Sequence, residues 1–344
     1  MSKATDMAPA YKPRGAFPGM TLFHGIVTEL PDFARPAYEE VKAGFAEPYV
    51  GVTTDGTPQT GLVAAASGPS TKPIGDAAQA YLDGVLRPDH QLSAAAAFDH
   101  PYRRWWFNAF PDWMPTGILL QDLTETERDA ALAIVELSLG PDGYAEARDM
   151  MRLNGLLGDF VQTYTDTLGE FTFFFTIFGD PSGGEPWAWQ LMGHHLDLNC
   201  LVLPDHVELT PMFMGSEFNN VEGVTVFEAH ADQGLAIAQS LTAEQRKSAV
   251  LYATMDPAKL PPEYAGLVDG RHRGGAGRDN LVSPYEGIAA TDLDDDQRKA
   301  LSALIDVYLQ RLPEAQRNQR AAEVAEHLDE TYLAWIGDPD EGAP

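Results

Sequence analysis

The sequence predicts an α+β fold in which helices flank a central, mainly antiparallel sheet, and three observations carry the prediction. Residues 171–211 are rich in aromatic and β-branched side chains and are cut by loop signals at Gly179-Asp180-Pro181-Ser182-Gly183-Gly184 and Pro204-Asp205, the pattern of an antiparallel meander. Outside it, DLTETERDAALAIVELSL, SLTAEQRKSAVLYAT and DLDDDQRKALSALIDVYL set Thr124 three before Glu127, Thr242 before Gln245 and Asp294 before Gln297. That is the spacing of a side chain that accepts from the free amides at a helix start while its partner reaches back. Further helical tracts are predicted at 76–86, 144–164 and 298–334, the last broken near Pro313. The intervals between the three capped starts are unequal, so they read as recurring capping and not as a repeat array. Residues 1–20, with several Pro and Gly, read as a flexible arm, 21–336 as one globular domain and 337–344 as a flexible tail.

With 344 residues, 44% hydrophobic and 10% aromatic, the chain can bury a large core. Fifty-one acidic against 23 basic side chains give a net charge of −28, which repels phosphate backbones and anionic lipid, so neither nucleic acid nor membrane is an expected partner. The single Cys200 excludes a disulfide framework and a zinc site built on several thiolates. It falls among apolar neighbours and reads as a small buried hydrophobe. No stretch has the length of a signal peptide's apolar region or of a transmembrane helix, which leaves a cytoplasmic location by default. Motifs for a serine nucleophile, a dinucleotide fold or a phosphate loop are absent from the sequence.

The chemistry-bearing stretch is QLMGHHLDLN. On one regular strand over residues 187–199, His195, Asp197 and Asn199 share a face, and His194, Leu196, Leu198 and Cys200 share the other. An imidazole and a carboxylate two residues apart can grip one divalent cation, iron or zinc, when a third ligand arrives from elsewhere. His230, in FEAHADQG, is the favoured third ligand. His194 is a core histidine on a regular strand, but a bulge at Gly193 would turn both imidazoles into one pocket. His272, between Arg271 and Arg273, suits an anionic group of a substrate better than a cation. Arg103 and Arg104, followed by Trp105 and Trp106, are candidates to orient an acidic substrate between aromatic walls. Trp187 and Trp189 share the face of His195 in a regular register and would wall the same pocket. The competing reading is a strand histidine hydrogen-bonded to a neighbouring carboxylate.

The run IFGDPSGGEPWAWQLMGHHLDLN, followed by LTPMFMGSEFNNV, resembles a largely bacterial and fungal family known as domain of unknown function 3500. Arg103-Arg104-Trp105-Trp106 with Gly117-Ile118, the LTETERDAALAIVELSL and SLTAEQRKSAV helices and YEGI at 285–288 match its layout in order. The resemblance covers roughly residues 75–335 and implies an architecture and a candidate site, not a reaction. Members typically continue past the positions of Tyr332 and Trp335 into a segment with further tyrosines, an acidic residue and a His-x-His pair. The sequence ends at Pro344, so the resemblance implies that this segment is lacking here. The expected protein is a metal-dependent enzyme acting on a small acidic organic molecule, with oxidation at a mononuclear site placed ahead of metal-dependent hydrolysis. A non-catalytic small-molecule binder is the alternative class. The sequence leaves the oligomeric state open.

Overall fold

The computed structural model describes residues 22–23, 26–27, 35–60, 68–85, 94–106, 117–162, 168–265 and 280–341. It shows the α+β architecture expected. The predicted arm at 1–20 and His272 lie outside the described residues. Contacts divide the chain into two compact units, one drawn from 1–47 and 63–226, the other from 48–62 and 227–344.

In the first unit β1 (Leu22–Phe23) and β2 (Ile26–Val27) pair antiparallel and precede helices α1 (Arg35–Ala46) and α2 (Lys72–Gly84). The centre is a six-stranded sheet. One edge of β5 (Phe173–Phe178) holds β3 (Ala95–Ala96), which runs parallel to it, and β4 (Ile118–Leu119), which runs antiparallel. Its other edge leads into the antiparallel meander of β6 (Trp187–Gly193), β7 (Leu196–Leu203) and β8 (His206–Met214). Helices α3 (Glu125–Ser138) and α4 (Pro141–Val161) lie between β4 and β5 in sequence, and a small hairpin, β9 (Asn220–Val221) with β10 (Val224–Thr225), follows β8.

The predicted single strand over 187–199 is two strands. Gly193 pairs with Leu196, and His194 with His195 forms the two-residue turn between them. His195 adopts a left-handed φ of 58°, a conformation in which histidine is enriched over most non-glycine residues. A Cβ on Gly193 would lie 1.9 Å from Cδ1 of Phe173, so only glycine lets β5 approach this closely. The pleat is regular on either side. Trp187, Trp189 and Leu191 oppose Val202, Cys200 and Leu198, while Gln190 and Met192 oppose Asn199 and Asp197. Trp187 and Trp189 therefore occupy the face opposite Asp197 and Asn199, contrary to the shared pocket wall expected. Trp189 donates from Nε1 to Oγ of Ser138 on α3 at 3.0 Å, and Phe175 meets Tyr81 of α2 edge-on with centroids 5.5 Å apart. Burying each such aromatic contributes about 1.5–3 kcal/mol. Cys200 lies in the same layer, and burial pushes its thiol far above the ordinary range.

The second unit comprises α5 (Glu228–Ser240), α6 (Ala243–Ala249), β11 (Val250–Tyr252), the short α7 (Pro262–Ala265), β12 (Ile288–Ala289), α8 (Asp295–Leu309), α9 (Glu314–Glu326), β13 (Tyr332–Leu333) and β14 (Trp335–Ile336). Its core gathers Ile237, Leu241, Ile288, Leu301 and Leu333. Of the expected tail, Pro339–Glu341 form a 3-10 turn tied to the unit by Gln239, which donates to the Pro339 carbonyl, and by Arg246, which pairs with Asp340. All three predicted capping boxes are formed.

Two of the three capped starts belong to a duplicated frame. Gly117-Ile118 and Gly287-Ile288 open it, each glycine at φ 95°, where a Cβ would lie 2.2 Å from the Phe175 carbonyl oxygen or 2.1 Å from that of Leu333. Each leads through a 3-10 turn into a capped helix, α3 or α8, then a second helix, α4 or α9, then a strand antiparallel to the opening one. Arg128 stacks on Phe171, and Arg298, at the matching position, pairs with Asp329, the counterpart of Phe171. β11 runs parallel to β14 as β3 runs parallel to β5, and both strands end in Gly-Asp-Pro, with the glycine amide bonded to the parallel strand. α2 packs on α3 as α5 packs on α8. Unequal intervals in the sequence hide this duplication, because α4 is longer than α9 and the third capped start, at Thr242, lies outside the frame. Among the described residues no helix is long and apolar enough to cross a membrane.

Candidate metal centre

The turn between β6 and β7 presents both histidines to one side, with ring centroids 4.0 Å apart and planes at 29°. The chain leaving β8 runs back past this turn, where the Gly215 amide donates to the His195 carbonyl at 2.8 Å. That contact delivers Glu217. Its Oε1 lies 3.0 Å from Nε2 of His195 and 3.4 Å from Nε2 of His194. Next in sequence, Phe218 is buried against Phe160 of α4, with its amide held by Oγ of Ser216, which fixes the segment. Among the described residues His194, His195 and Glu217 are the one group of three or more His, Cys, Asp or Glu residues whose ligand atoms converge, all within 4.8 Å of one another. Donors each about 2.1 Å from one metal ion sit roughly 3.0 Å apart at a right angle and roughly 3.4 Å apart at the tetrahedral angle. The two separations to Glu217 lie within this range, and the 3.0 Å one is also a hydrogen-bonding distance.

Asn154 of α4 decides how His194 enters the group. Its Nδ2 donates to the Gly169 carbonyl at 2.8 Å and to Oγ1 of Thr172 at 3.1 Å. A carbonyl only accepts, so the amide is oriented with Oδ1 towards Nδ1 of His194, 3.0 Å away. Oδ1 also only accepts, so Nδ1 carries the ring proton and Nε2 turns its lone pair towards Glu217. Carboxylate and lone pair repel unless a cation lies between them. A second ring proton would serve, but burial, with the adjacent His195 adding to it and Glu217 opposing, pushes the His194 imidazole down to about 3. Burial also works to raise the Glu217 carboxyl. The hydrogen bond and charge of His195 outweigh it and bring Glu217 down to about 2, leaving an anion.

One wall of the site is closed and the other open. His194 is buried, whereas the side chains of His195 and Glu217 are 28% and 25% exposed, with the Phe213 ring 6.3 Å from that of His195. Catalytic metal sites keep open positions of this kind, whereas structural zinc sites are closed by four protein ligands.

The other predicted site residues are placed elsewhere. Asp197 is fully buried between Met192 and Phe213 in the sheet. Neither of its oxygens accepts a well-formed hydrogen bond from the described residues. Burial holds its carboxyl well above the ordinary range, only partly offset by the Gly193 amide. His230, in the second unit, receives Nη2 of Arg311 on Nε2 at 3.2 Å and packs edge-on against Phe227 and Tyr308. A guanidinium only donates, so that lone pair is engaged, and the adjacent positive charge opposes a metal ion. Arg103 stacks on Phe98, with its centre 4.1 Å from the ring, and Arg104 donates to the Glu47 carbonyl at 3.0 Å. Trp105 stacks on Phe45 and Trp106 is buried, while Asn199 accepts from Gln190 and donates to the Pro211 carbonyl. Sequence reasoning missed Glu217 and Asn154. Both are brought to the turn by tertiary contacts, and the available signal was only an acidic residue one step beyond MFMGS at the end of a predicted meander.

Fold and site together define an α+β protein with a two-histidine, one-carboxylate group at a hairpin turn. The chain belongs to the family described as Protein of unknown function (DUF3500), whose profile matches residues 67–344. No curated protein and no solved structure matches it.

Proposed function

We propose that this protein is a metal-dependent enzyme acting on a small organic molecule at a mononuclear centre held by His194, His195 and Glu217, with oxidation as its chemistry. The observation that carries the reading is the Asn154-fixed ring of His194, which aims a lone pair at a carboxylate 3.4 Å away. Two imidazole nitrogens and one carboxylate oxygen are the donor set of mononuclear non-haem iron enzymes, in which the metal supplies redox chemistry at its open positions. A zinc hydrolase can use the same donors, with metal-bound water as its nucleophile. In the converging group Glu217 is itself a ligand. In this reading Asn154 and the buried wall orient His194, while the partly exposed His195 and Glu217 border the side from which substrate enters.

Metal analysis of protein purified without a histidine tag tests the reading. One iron per chain is expected, lost in His195→Ala and in Glu217→Gln while the circular dichroism spectrum is retained. A nitric oxide adduct of the iron(II) form, seen by electron paramagnetic resonance, would report open positions. Zinc at one per chain would turn the reading to hydrolysis, and the absence of any bound transition metal would sink it.

A further inference from the structure

Among the described residues the second unit repeats the first as far as the strand that leads into β6. Residues 332–336, spanning β13 and β14, are the counterpart of β5, and one edge of this segment holds β11 and β12 as β5 holds β3 and β4. On its other edge β5 carries β6 over its full length, whereas 332–336 carries no strand among the described residues. Strand hydrogen bonding alternates from edge to edge. The Thr331 carbonyl accepts from Ala290 and the Gly337 amide donates to Tyr252, so Tyr332, Ala334 and Ile336 turn their backbone N–H and C=O groups to the open edge.

The side chains mirror this difference. Phe174 and Thr176 of β5 are 1% and 3% exposed, while Tyr332 at the position of Phe174 is 42% exposed and stacks on Tyr285, itself 68% exposed. The sequence Tyr332-Leu333-Ala334-Trp335-Ile336 contains no Pro, Lys or Arg, the residues that commonly guard an edge strand. Its flanks are acidic and exposed, with Glu330 before it and Asp338 after it. Antiparallel pairing of this edge with a second copy of itself, centred on Ala334, would set Glu330 against Asp338 twice, and like charges opposed across a strand pair are destabilising. A strand with basic ends meets both carboxylates favourably.

We propose that the open edge of residues 332–336 is a docking site for a strand of another polypeptide, extended, apolar in its centre and flanked by Lys or Arg, added antiparallel as β6 is added to β5. The probe is a fluorescein-labelled peptide KKWAWQLMGKK, the β6 sequence with lysine ends, titrated into the full chain by anisotropy, with hydrogen exchange read at residues 332–336. Saturable binding that slows exchange at Tyr332, Ala334 and Ile336 is expected. N-methylation of the peptide's Ala, Gln and Met amides, those that face β5 in the first unit, should weaken binding roughly tenfold or more, since each removes a backbone hydrogen bond. Glu330→Lys combined with Asp338→Lys, both at exposed positions, should weaken the lysine-flanked peptide and favour a glutamate-flanked one. Four results would each overturn the proposal: no saturable binding, binding indifferent to N-methylation and charge reversal, slow exchange of the three amides in the peptide-free monomer, or a self-associated dimer that protects the same amides.

Discussion

Asn154 accepts from Nδ1 of His194, and its own orientation follows from the Gly169 carbonyl and the Thr172 hydroxyl. It does not converge on Glu217 itself, so its contribution is to hold a tautomer. Residues in this position behind a metal-bound histidine typically change metal affinity by about 10–100-fold. Asn154→Ala is expected to weaken metal binding by that order in a competition titration with a chromophoric chelator. Asn154→Asp, which still accepts from Nδ1, should retain more affinity than the alanine variant; equal losses in both would show that the ring is not held this way. Gly193 is the other decisive residue. With Phe173 Cδ1 1.9 Å from the position of an added Cβ, Gly193→Ala must displace a fully buried ring. A destabilisation of about 1–3 kcal/mol is expected, as for overpacked cores, measured by chemical denaturation. A neutral substitution would mean that β5 and β6 can separate at little cost. Asp197, the ligand expected from the strand spacing, shows where one-dimensional reading stops: the alternation of 197 with 199 holds, but the strand is broken ahead of Leu196 by a turn at a histidine with positive φ.

At the level of elements, the three capping boxes look alike in sequence but do different amounts of packing. Thr124 with Glu127 is exposed, so Thr124→Ala should cost about 1 kcal/mol, the usual value for a lost cap. The boxes of α6 and α8 are joined. The amide of Gln245 donates to Oε1 of Gln297 at 2.8 Å and that of Gln297 donates back at 3.0 Å, while each also reaches a backbone carbonyl of the other's surroundings, Asp292 and Ser240. Gln297 is 4% exposed, so Gln297→Ala strands buried partners and should cost more than Thr124→Ala, about 1–3 kcal/mol beyond the cap itself. Denaturation of the two variants side by side compares them, and equal costs would contradict the joined geometry. The helix starts, the meander and the break near Pro313 were legible because caps, turn residues and alternation are local signals. The carboxylate of the metal group was not, because nothing local relates Glu217 to a turn more than twenty residues earlier. The duplicated frame escaped for a related reason: its likeness resides in strand pairing and in two glycines held against neighbouring backbone, while the intervening helices differ in length.

For the whole molecule the dominant long-range term is charge. A net charge of −28 on 344 residues disfavours the compact state through self-repulsion, and the exposed ion pairs that salt would weaken are each worth only about 0–1 kcal/mol. Raising ionic strength from about 0.01 to about 0.1 M shortens the screening length from roughly 30 to roughly 10 Å. The midpoint of thermal unfolding is therefore expected to rise across that range by differential scanning calorimetry, and a fall would mean that the ion pairs outweigh the repulsion. One interior feature makes labelling experiments easier to carry out. The only sulfhydryl of the chain, Cys200, is packed under the sheet where it neither ionises readily nor meets solvent. A cysteine introduced anywhere on the outside thus becomes a unique handle for spin labels, dyes or cross-linkers, with the native thiol left in place.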